Sequence, residues 1–131
     1  MARLQVSACV REKLPVEVSV RQHRIVADLP PDKGGNDSGP TPPEILLASL
    51  AACAAIFAKM FAQRESLSGE ITVAAEAELT DFPMLISNFS VRVRIPGLPK
   101  EKRDKAHAFI DKCVVSETLC AGHHVSLLVE G

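Results

Sequence analysis

A chain of 131 residues is long enough for one domain, which would bury roughly two thirds of the surface its unfolded form exposes. Its 47% apolar content is that of a globular protein and excludes a disordered one. With 15 Lys+Arg against 16 Asp+Glu, a formal charge of -1 and neither Trp nor Tyr, it has no broad field and few stacking platforms. Binding to nucleic acid or to an acidic membrane face is therefore not expected.

The N-terminal stretch MARLQVSACVREKLPVEV lacks the sustained apolar core of a signal peptide. Strand-like patterns follow over residues 4–10, 16–20 and 23–29, with turns at 11–15 and 21–22. Residues 30–43, PPDKGGNDSGPTPP, read as a loop because Pro, Gly, Asn and Asp dominate them. The loop ends where a helix can start: Pro43 suits a first turn, and Glu44 complements the positive end of the helix dipole. This helix is expected to reach about Glu65, with 66–69 closing it.

Within it, Leu46, Leu50, Cys53, Phe57 and Met60 form a stripe at helical spacing, while Leu47, Ala51, Ala54, Ala55 and Ala58 leave little polar surface elsewhere. A helix apolar nearly all round has to be covered all round, which one small domain can hardly do. A homodimer packed around it is expected. The longest apolar stretch, residues 45–58, falls short of the about 20 residues that span a bilayer, and Lys59 ends it. The expectation is a soluble, cytoplasmic protein with no membrane partner.

Two more strands are predicted over 70–79 and 85–95, where Val91, Val93 and Ile95 alternate with Arg92 and Arg94, giving one buried and one wet face. A turn at 96–99 leads to a helix over 100–112, a short helical turn in CVVSETL, and a last strand over 124–129. Strands surrounding segregated helices indicate an α+β class, here as a single domain over 1–131.

The four cysteines are expected to be reduced in a cytoplasmic chain, leaving room for a transient bridge. Taken alone, Cys53 reads as either a small packing group or a thiol kept dry for chemistry. Cys113 precedes a helical turn whose amides could stabilise a thiolate. Their separation of 60 positions does not by itself bring them together. Cys113, Cys120, His123 and His124 lack the close paired spacing of a structural zinc site, so no metal is expected, and no cofactor either. Cys9 and Cys120 read as bystanders, the basic run RVRIPGLPKEKRDK as a solvated strand edge and helix start, and His107 as unpartnered. His23 and Asp28 flank a strand entering the loop, and both are expected to tie that loop down by hydrogen bonds.

The combination GGNDSGPTPPEILLASLAAC, followed by CVVSETL, resembles the osmotically inducible protein C and organic hydroperoxide resistance (OsmC/Ohr) family. The shared pattern is a Gly-rich loop, an N-P-E-like helix start, a cysteine after small residues, and a distal C-P-V-like segment; it covers roughly residues 28–129. The resemblance implies an OsmC-like fold, with antiparallel sheets around a long buried helix, in an intertwined homodimer with two sites at the subunit interface. It also implies a thiol-dependent peroxidase in which Cys53 attacks an organic hydroperoxide and Cys113 resolves the sulfenic acid to a disulfide. A dithiol reductant, a role the family gives to lipoylated proteins, would reopen the bridge.

Two features depart from the pattern. The family's N-P-E glutamate falls on Pro43, with Glu44 one residue, about 100° of helix, further on. No Gly-Gly pair precedes an arginine in the first hairpin turn, where Arg11 is the candidate to activate Cys53 and Arg24 the reserve. These departures point to a divergent branch. They also keep open a second reading, a non-enzymatic dimeric protein that binds an apolar ligand in the interface pocket.

Overall fold

The computed structural model describes residues 1–131, which divide into two compact units, Met1–Ala48 and Ser49–Gly131. Together they contain two antiparallel sheets and three α-helices, an α+β architecture.

The first unit opens with β1 (Ser7–Val10), β2 (Val16–Val20) and β3 (His23–Ala27), hydrogen-bonded in that order. Register places Glu17 between Cys9 and Val26. The turn from β2 to β3 needs a left-handed residue, which Arg21 supplies at φ 53°. At the end of β3 the chain buries Asp28, whose carboxylate accepts the N–H groups of Leu29 (2.8 Å), Asn36 (3.1 Å) and Ser38 (3.0 Å) and the Ser38 hydroxyl (2.6 Å). These donors, the Ser38 hydroxyl foremost, hold its pKa down to about 2. Asp28 thus ties the loop to the sheet, as the sequence led us to expect, whereas His23 lies exposed at the start of β3 and takes no part. Gly35 is required there: a Cβ would sit 1.9 Å from the Leu29 carbonyl oxygen and 2.6 Å from Asp28 Oδ1.

The loop closes on Thr41, where α1 (Pro42–Arg64) begins. The Thr41 N–H donates to Glu44 Oε1 at 2.8 Å, and the Glu44 N–H returns a longer bond to Thr41 Oγ1 at 3.4 Å, a reciprocal cap on the helix start. At 23 residues and a mean hydropathy of 2.1 in its most apolar window, α1 is long and apolar enough to cross a membrane. The apolar stretch 45–58, expected to fall short of a bilayer span, is the centre of this longer helix. The core helix of a soluble protein meets the same criteria, so length and composition do not choose between the two.

In the second unit, β4 (Thr72–Asp81) and β5 (Met84–Arg94) form a hairpin with a register irregularity between Glu76 and Glu78. Asn88, at φ 54°, donates its side-chain amide to Glu78 at 2.9 Å across that irregularity. The core gathers Ala58, Phe61 and Ala62 of α1 with Ile95 and with Ala106 of α2 (Arg103–Ile110). Phe109 of α2 lies 5.7 Å from Phe57 and 6.0 Å from Phe61 between ring centroids, and the Arg64 guanidinium sits 4.6 Å over its ring. Glu65 receives Lys102 and Lys105 and fastens the end of α1 to the start of α2.

Two local expectations are revised. The helix expected over 100–112 is a 3-10 turn, Lys100–Lys102, followed by α2, and α3 (Val114–Cys120) begins after a break at Cys113. The strand expected over 124–129 is not formed: no β-ladder takes it up, and Val125 and Leu127 are 84% and 85% exposed. Strand character in a sequence has to be completed by a neighbouring strand, and this chain supplies none to that segment. Within one chain α1 is not covered all round, as the sequence led us to expect: Ile56 and Met60 remain 55% and 46% exposed.

Candidate functional site

The site grows from the break between α2 and α3. Ile110 ends α2, and the chain turns so that Cys113 takes an extended conformation, φ -62° and ψ 143°, as the N-cap of α3. There its sulfur accepts the Ser116 N–H at 3.4 Å, while the residue is only 1% exposed. Cys53 lies half-buried on α1. Its thiol is a near neighbour of Cys113 and acts on that residue's titration, so two residues 60 positions apart are brought together.

Burial pushes the Cys113 thiol pKa up, the Ser116 amide opposes this, and the neighbouring Cys53 raises it further because two adjacent sulfurs do not readily both carry charge. The resting Cys113 is a thiol. None of the four cysteines is in a disulfide.

A groove of about 930 Å³ opens beside Cys113. Leu50 and Ala54 of α1, Val93 and Ile95 at the end of β5, and Ala106 and Ile110 of α2 give it apolar walls, and Cys113 lines it. Arg92, Arg94, Arg103 and His107 lie along it as well. The sequence reading gave Arg92, Arg94 and Arg103 to a solvated strand edge and helix start and left His107 unpartnered. A usable signal was present in the i, i+4, i+7 spacing of Arg103, His107 and Ile110, which puts the three on neighbouring positions of one helix face.

The other two site candidates are engaged elsewhere. Arg11 forms an exposed ion pair with Glu17 at 3.7 Å, and Arg24 approaches the same carboxylate at 3.9 Å from β3. Glu44 turns its carboxylate back onto the Thr41 N–H, which is the leading cause of its lowered pKa. Thr41-Pro-Pro-Glu44 is a capping-box spacing legible in the sequence, and it accounts for Glu44 without a catalytic role. Cys120, at the far end of α3, is exposed and lines the same groove.

Comparison with solved structures finds the same fold at low identity. An OsmC-like protein from Mycoplasma pneumoniae superposes with a TM-score of 0.77 at 17% identity, covering 91% of this chain and 88% of that one. An organic hydroperoxide resistance protein OsmC from Legionella pneumophila gives 0.66 at 19% identity, covering 91% and 90%. The organic hydroperoxide resistance protein OhrB of Bacillus subtilis gives 0.60 at 16%, covering 89% and 90%. A search of curated protein sequences gives no significant match. The family model for OsmC-like proteins matches residues 34–127, from the glycine-rich loop through α1, the β4–β5 hairpin and both short helices. On that match, which spans well over half of the sequence and contains both members of the thiol pair, the chain belongs to the OsmC-like protein family.

Proposed function

We propose that the protein is a thiol-dependent peroxidase that reduces organic hydroperoxides. The observation that carries this reading is the placement of Cys53 next to Cys113, which lines an apolar groove. Cys53, as thiolate, attacks the outer oxygen of the O–O bond. The bond breaks, the alcohol leaves with a proton, and Cys53 becomes a sulfenic acid. Cys113 then attacks the Cys53 sulfur, a disulfide forms, and the sulfenic oxygen departs as water. A dithiol such as a lipoylated protein exchanges with the bridge, returning both cysteines to thiols and leaving as its own disulfide. Two solved structures of the same fold are named as organic hydroperoxide resistance proteins, in keeping with this chemistry.

Apolar walls favour organic peroxides over hydrogen peroxide, which would have to shed its hydration on entering. The exposed Ile56 and Met60 of α1 support pairing with a second copy of the chain, and reduced cysteines suit the cytoplasm.

A second reading, a dimeric protein that binds an apolar ligand without turnover, is favoured by one set of contacts. Arg11 and Arg24 both pair with Glu17, and Glu44 caps its own helix. A peroxide-consumption assay with a lipoyl dithiol system separates the two. The peroxidase reading expects cumene hydroperoxide to be consumed well ahead of hydrogen peroxide, with turnover abolished in Cys53→Ser. Cumene hydroperoxide left intact by fully reduced protein would hand the site to the binding reading.

A further inference from the structure

We propose that Cys120 is a third redox thiol, which takes the disulfide over from Cys53–Cys113 and brings it to the surface for an external dithiol to reduce. This rests on the peroxidase reading, whose cycle ends on that bridge.

A disulfide is reduced by a thiolate that can reach one of its sulfurs. Cys113 is buried and Cys53 half-buried, so a bridge between them offers a protein-borne reductant little approach. Cys120 is exposed, yet it lines the same groove as Cys113. With Ser116 it continues the face of α3 that Cys113 begins, at spacings of three and seven positions, and all three line the groove. One face of α3 therefore leads from a buried thiol to a solvated one.

Within the helix the two are too far apart to bond. Seven positions rise about 10 Å, whereas a disulfide needs Cα atoms within about 7 Å. α3 has to open, and its construction permits that: it has seven residues and buries none of them, with Val114 66% exposed. Its N-terminal cap is the Cys113 sulfur, which accepts the Ser116 N–H at 3.4 Å. Bonded to Cys53, that sulfur can no longer become a thiolate and caps the helix less well. Forming the bridge thus loosens the helix that carries Cys120.

The Cys120 thiolate attacks the Cys113 sulfur, the Cys53–Cys113 bond breaks, and Cys53 leaves and takes up the proton that Cys120 gave up. One disulfide replaces another with no net change of oxidation state. Burial raises the Cys113 pKa and makes it a reluctant leaving group, which favours attack at its sulfur with Cys53 departing. Cys53 is then free for the next peroxide. A dithiol exchanges with the Cys113–Cys120 bridge, supplying two electrons and two protons and leaving as its own disulfide.

The test installs the Cys53–Cys113 bridge with diamide, a thiol oxidant that is not a peroxide, confirms it by peptide mapping, and follows its reduction by a reduced lipoyl domain. Cys120→Ser should slow that reduction about tenfold or more. Cys9→Ser, which removes an exposed thiol from β1, should match the native chain. In Cys53→Ser, diamide should trap Cys113–Cys120 within one chain as α3 opens. An undiminished rate in Cys120→Ser would overturn the proposal, as would an equal slowing in Cys9→Ser or free Cys113 and Cys120 thiols in oxidised Cys53→Ser. The two readings fail separately: slow reduction of Cys120→Ser beside a native chain that leaves peroxide intact retains the relay and removes the peroxidase, whereas peroxide turnover with undiminished reduction in Cys120→Ser does the reverse.

Discussion

Oxidising the protein with one equivalent of cumene hydroperoxide should stabilise it by an amount that the chain length sets. A Cys53–Cys113 bridge would close a loop of 60 positions between two neighbouring thiols. The loss of unfolded-state entropy for a loop of that length is worth about 4 kcal/mol at 25 °C, a ceiling from which any strain in the bridge subtracts. With a urea dependence of about 2 kcal/mol per molar for a domain of this size, the midpoint should rise by up to about 2 M. The assay compares urea unfolding of oxidised and dithiothreitol-reduced samples, with the bridge located by peptide mapping, and Cys113→Ser should show no such shift. A mapped Cys53–Cys113 bridge whose midpoint is unchanged or lowered would refute the reasoning, because the sulfurs would then be joined only at the expense of native packing.

The Asp28 tether should appear as a pH-dependent stability. Its carboxyl is held at about 2 against an ordinary 3.8, so its contribution is present above about pH 4 and disappears as the pH falls toward 2. The stability gap between the native protein and Asp28→Asn should be constant above pH 4 and close below it; a gap independent of pH would remove the tether from the account. Sedimentation at micromolar concentration should give twice the 14.1 kDa chain mass, since Ile56 and Met60 of α1 otherwise face water. A stable monomer would exclude the pairing.

Much of the fold was legible because it is written in local chemistry. The Pro and Gly loop before Thr41, the apolar run of α1, the alternation of Val91 and Val93 with Arg92 and the short turn in CVVSETL each depend on residues within a few positions of one another. The helix start also carried its own explanation of Glu44, since a threonine three residues ahead of a glutamate can cap it reciprocally. Where local chemistry misled, a long-range partner was at issue. Residues 124–129 alternate like a strand, yet a strand exists only with a neighbour to share its hydrogen bonds, and none lies beside them in this chain.

The candidate site divides along the same line. The resemblance to a known family named Cys53 and Cys113, and that pairing could be stated from sequence. Their proximity, the burial that keeps Cys113 protonated, and the groove lined by Arg92, Arg94 and Arg103 arise only when α1, the end of β5 and the α2–α3 break meet. A sequence records spacing along one dimension and determines helices, turns and caps, whose energies come from neighbours in the chain. The distance between two sulfurs 60 positions apart, and which of them is withdrawn from water, depend on packing that only the tertiary structure decides.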